Sequence, residues 1–101
     1  MRLSEKERKS IKQAAKEVWG NSATIYLFGS RADDTKKGGD IDLYIRLSEM
    51  KSAHELVRQK AAFLAKLEML LGEQKIDAII HTPQNEDLPI IQTAQKEGVI
   101  L

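Results

Sequence analysis

The sequence contains no cysteine, so disulfides and thiolate metal sites are excluded at once. It also has no apolar run approaching the roughly 18 residues that cross a bilayer. The charged start, Met1-Arg2-Leu3-Ser4-Glu5-Lys6-Glu7, lacks the apolar core of a signal peptide. These absences make a cytoplasmic location without membrane association the expectation. A charge excess is missing too: 16 basic against 15 acidic side chains leave a formal +1. A general nucleic-acid binder would concentrate basic charge on one face, so direct nucleic-acid binding is not expected. Internal repeats, linkers and low-complexity segments are also absent.

What remains is 101 residues with 42% apolar and 31% charged side chains. That is the composition of a globular protein with one core, so one domain over residues 1–101 is expected. Ser4 and Glu7 have capping-box spacing, and Ile11, Ala14, Ala15, Val18 and Trp19 recur at helical intervals. A first helix is predicted from Ser4 to Trp19, with Trp19 as its core anchor and Gly20-Asn21 as its stop. Thr24-Ile25-Tyr26-Leu27-Phe28 reads as a buried strand ending at Gly29-Ser30. Residues 33–39 form a polar, glycine-ended loop.

From Asp40 to Ile45 the chain alternates, with Asp40, Asp42 and Tyr44 on one face and Ile41, Leu43 and Ile45 on the other. A second helix is predicted from Met50 to Leu71, with an apolar stripe of Ala53, Leu56, Val57, Ala61, Leu64, Leu67 and Leu71, ended by Gly72. In the strand Lys75 to His81, Ile76, Ala78 and Ile80 face one way and Asp77, Ile79 and His81 the other. Asn85 opens a short last helix that Gly98 ends. Val99-Ile100-Leu101 packs down or adds an edge strand. The order predicts an α/β fold, a small mixed sheet flanked by helices in two or three layers.

Three features carry chemistry. Aspartates at i and i+2 of a strand share a face with Cα atoms roughly 6–7 Å apart. Such a pair can hold hard divalent cations, because Mg²⁺ prefers carboxylate oxygen and leaves room for phosphate and water. Two metals about 3.5–4 Å apart would serve both the attacking and the leaving oxygen. The bland alternative for Asp40 and Asp42 is a wet strand face. Gly29-Ser30 after an apolar strand can bring backbone N–H groups to a phosphate, although most such pairs are plain turns. Asp77 is an acid inside an apolar strand, either an edge-blocking charge or the third member of a carboxylate face. Three acids on one face would repel without a cation.

Gly29-Ser30, nine intervening residues and then Asp40-Ile41-Asp42-Leu43 resemble the signature of the polymerase-beta-like nucleotidyltransferase superfamily. Length and the Gly29-Ser30-Arg31-Ala32 opening resemble the minimal nucleotidyltransferases within it, the antitoxins of HEPN/MNT toxin–antitoxin modules. The resemblance implies that Gly29 and Ser30 hold the triphosphate. It further implies that Asp40 and Asp42 ligate Mg²⁺, and that Asp77 completes the metal site and favours the acceptor hydroxyl as its proton leaves. The implied reaction moves AMP from ATP to a tyrosine hydroxyl of a HEPN-type toxin in a hetero-oligomer. Non-catalytic steric capping of the toxin and transfer to a small molecule such as an aminoglycoside are the rivals. The second is disfavoured because little chain is left to enclose an acceptor. The loop is one residue shorter than the most familiar minimal pattern. Asp33-Asp34 stand where Arg-Gly is common, and Gly39 replaces a serine.

Arg31, Lys36 and Lys37 are candidate phosphate contacts, Arg31 foremost from its place beside Ser30. His81 reads as a strand-end surface histidine and His54 as exposed. Tyr26 and Tyr44 read as packing residues.

Overall fold

The computed structural model describes residues 3–29, 40–83 and 98–101. Helix α1 covers Glu5–Trp19 and opens with the expected capping box: Ser4 Oγ accepts from the Glu7 N–H, and the Glu7 carboxylate accepts from the Ser4 N–H, both at 3.0 Å. A short 3₁₀ turn, Gly20–Ser22, leads into strand β1, Ala23–Phe28. Strand β2 is Ile41–Leu47, helix α2 is Ala53–Leu71, β3 is Ile76–His81 and β4 is Val99–Ile100.

The strands form one sheet in the order β3-β2-β1-β4. β1 is antiparallel to both β2 and β4, whereas β2 and β3 run parallel. A parallel pair needs a long crossover, and α2 supplies it. The sheet is therefore mixed, as expected. Among the described residues the helices lie on one face only, which makes two layers rather than three. Ile11, Ala14, Ala15 and Trp19 of α1 and Phe63 and Leu67 of α2 share a core with Ile25, Leu27, Ile41, Leu43, Ile45 and Ala78.

That core corrects the expected stripe of α2. Leu56, Leu64, Leu67 and Leu71 do pack inward, but Ala53 and Ala61 are exposed and Val57 is 72% exposed. Phe63, absent from the expected stripe, is fully buried. Trp19 decides the rotation: its Nε1 donates to Gln59 Oε1 at 2.9 Å, and its ring lies 5.1 Å from that of Phe63. Gln59 and Phe63 are one turn apart, so docking on Trp19 turns their side of α2 inward. The helix also starts later than Met50, because Ser52 and Glu55 form a second capping box.

The Val99–Leu101 end adds an edge strand and packs down as well. Leu101 is buried, its N–H donates to the Ile25 carbonyl at 2.9 Å, and Arg8 Nη2 donates to its own carbonyl at 3.0 Å. The helix expected from Asn85 falls outside the described residues, Gly98 excepted. No described helix is long and apolar enough to cross a membrane.

Candidate functional site

The sheet face away from the helices carries the candidate site residues. Because Ile41, Leu43 and Ile45 enter the core, their alternating neighbours must point the other way. Register then sets the neighbours across the strands. Phe28 on β1 pairs with Asp42 on β2, and Asp42 pairs with Asp77 on β3. Behind that row lie Tyr26, Tyr44 and Ile79, an aromatic-apolar patch centred on the fully buried Tyr44. Asp40 lies just before β2, half-buried, and Asp77 is exposed.

Gly29 ends β1 with φ +75, a left-handed backbone that favours glycine. A Cβ built there would overlap the Asp42 carboxylate. Backbone and carboxylate therefore approach in a way no other residue permits. Ser30 and Arg31 lie outside the described residues, as do Asp33, Asp34, Lys36, Lys37 and Gly39.

The carboxyl of Asp42 is raised above its ordinary pKa, first by burial and then by the charges of Asp77 and Asp40, with Lys75 opposing. Such a group binds more protons folded than unfolded between its ordinary and its raised value. Stability is therefore lost as pH rises through that window. Removing the charge should recover it. Asp42→Asn is expected to raise the melting temperature at pH 7 by roughly 2–4 °C, and the gain should disappear below pH 4. Thermal scans at both pH values test this; equal shifts at both would dissociate the gain from ionisation.

Asp42 and Asp77, paired across the strands, are hard oxygen donors of the kind a divalent cation takes. Among the described residues, however, no three His, Asp or Glu side chains stand close enough to hold a single ion. Lys75 stands beside this row. Its Nζ lies 3.5 Å from Asp40 Oδ2, and its carbonyl accepts from the Ile41 N–H at 3.0 Å. Sequence reasoning passed over this lysine. Its signal was its place two residues before Asp77, immediately ahead of the strand that runs parallel to β2.

His81 also departs from expectation. It is 3% exposed, not a surface residue, because its Nδ1 hydrogen-bonds the Tyr44 hydroxyl across the parallel strands and the two rings stack. His54 is exposed as expected, and Tyr44 is a packing residue. One open pocket, lined by Lys12, Lys16, Asn21, Thr24 and Ile100, is larger than the others described, yet none of the three aspartates lines it.

A model of the nucleotidyltransferase domain family matches residues 8–101. The chain belongs to that family. No curated protein matches the chain. As a nucleotidyltransferase domain, it supports nucleotidyl transfer and takes a nucleotide as substrate. In this nucleotidyltransferase the sheet face bearing Asp42 and Asp77 and the backbone at Gly29 adjoin.

Proposed function

We propose that the chain is a Mg²⁺-dependent protein adenylyltransferase that moves AMP from ATP to a tyrosine hydroxyl of a HEPN-type helical toxin and thereby neutralises it. The observation that carries this reading is the in-register Phe28–Asp42–Asp77 row with Gly29 against it. Asp40, Asp42 and Asp77 would share the metal with the phosphates of the nucleotide, so no three of them need close on one ion, and the bound metal would neutralise charge on the phosphoryl oxygens. Its exclusive coordination by oxygen suits this donor set. Gly29, Ser30 and Arg31 would hold the triphosphate.

The acceptor oxygen bonds to the α-phosphorus as the bond from that phosphorus to the bridging oxygen breaks. Pyrophosphate departs, and the hydroxyl proton passes to Asp77. Asp77 is the fitting base, since it is the exposed acid of the row. In-line attack and exclusion of water require a wall facing this row. The described residues put both helices on the opposite face, so a partner chain is the proposed wall.

Steric capping of the toxin without chemistry is the second reading, favoured by Asp33-Asp34, two acids that follow Gly29-Ser30 closely in the sequence. Intact mass of a co-expressed HEPN partner separates the two. Additions in multiples of AMP are expected. An unmodified partner held in a stable complex would establish capping instead. Efficient turnover on a free aminoglycoside by the isolated chain would overturn both.

A further inference from the structure

Three carboxylates share one sheet face, and the fold places a cation beside them. Lys75 sits immediately before β3, where the parallel register sets Ile76 beside Ile41 and Asp77 beside Asp42. Its ammonium reaches Asp40 Oδ2 at 3.5 Å. The backbone fixes this relation, because the Ile41 N–H donates to the Lys75 carbonyl at 3.0 Å. Lys75 is 72% exposed at its side chain, so its ammonium is free to swing away on four methylene groups.

We propose that Lys75 is the resident counter-ion of the carboxylate row: it holds Asp40 while the site has no metal, releases it to an arriving divalent cation, and then meets the phosphates of the nucleotide. The proposal rests on the metal-site reading above. Its physical content is competition. A monovalent and a divalent cation cannot both occupy the same carboxylate oxygen, so the lysine raises the metal concentration needed to fill the site. Once nucleotide brings its own negative charge, the same ammonium becomes favourable.

The two effects have opposite signs, which a purely structural role would not produce. Lys75→Met should bind Mn²⁺ alone about three- to tenfold more tightly, as expected for removing a unit charge a few ångströms from a divalent ion in a wet site. With Mn²⁺ saturating, the same variant should bind a nonhydrolysable ATP analogue at least threefold more weakly. Lys75→Arg, which keeps the charge, should stay near the wild type on both measures. Free Mn²⁺ is read by electron paramagnetic resonance and the analogue by calorimetry. An exposed ion pair adds little stability, so the metal-free melting temperature should hardly move. Should Lys75→Met fold poorly, Lys75→Gln serves in its place.

Unchanged or weakened Mn²⁺ binding in the charge-removing variants would overturn the counter-ion role. The control is the wild type against Asp40→Asn/Asp42→Asn. If the wild type binds no Mn²⁺ that this double variant loses, the metal-site reading itself fails and takes the inference with it.

Discussion

Replacing Asp40 and Asp42 together by asparagine is expected to lower nucleotidyl transfer by roughly a thousandfold or more, while the domain still folds. The amide keeps the shape of the carboxylate but is neutral and offers one acceptor oxygen instead of two. A hard divalent ion loses most of its reason to bind such a site. The charge developing on the departing pyrophosphate then goes unmet, a term worth several kcal/mol in transfers of this class. Folding should survive because both positions lie outside the core of Ile41, Leu43 and Ile45. The double change also relieves the repulsion that disfavours ionisation of Asp42. Transfer of labelled AMP to the co-expressed partner, with circular dichroism as the folding control, makes the measurement. A rate within tenfold of the wild type would remove these residues from the metal site. Mg²⁺ should in addition raise the melting temperature of the wild type and leave the double variant unmoved, because a ligand stabilises only the state that binds it.

The carboxylate row was legible in the sequence because strand alternation is rigid. Ile41, Leu43 and Ile45 had to share a buried face, and a one-residue slip would have put every aspartate into the core. Asp77 was legible for a related reason: an acid flanked by Ile76 and Ala78 on β3 must face away from the core that both join. The first capping box was equally plain, since both partners lie within four residues.

Misreadings arose where the deciding partner is far along the chain. Helix α2 carries two apolar stripes, Ala53-Val57-Ala61 and Leu56-Phe63-Leu67, and local periodicity cannot choose between them. Trp19, 40 residues from Gln59, makes the choice. His81 looked like a strand-end surface group until its hydrogen bond to Tyr44, 37 residues away, drew it inside. Lys75 drew no notice in the sequence because its place beside Asp40 depends on β3 lying parallel to β2, a pairing no local pattern specifies. The phosphate-side candidates Ser30 and Arg31 lie outside the described residues and are candidates on the sequence alone.

Gly29→Ala is expected to cost both stability and catalysis, and the two losses have different causes. The backbone at Gly29 has φ +75, where an L side chain crowds its own backbone by about 1–2 kcal/mol. Stability should fall by about that amount, measured by denaturant titration. The added methyl would also land on the Asp42 carboxylate, which must turn aside or push the end of β1 away. Either response displaces a proposed metal ligand from its partners across the row. Misplacement on the order of 1 Å can cost about a hundredfold in rate, so transfer should drop by about that factor at saturating nucleotide. The losses can be separated by Gly20→Ala. Gly20 has a comparable φ of +63, yet a Cβ there meets nothing within 4 Å. It should therefore lose similar stability and keep its activity. If Gly29→Ala transfers AMP as fast as Gly20→Ala, the close approach of backbone to Asp42 has no part in the chemistry. If it alone is slow, and Mn²⁺ binding weakens with it, the glycine is there to let the carboxylate occupy the space a side chain would fill.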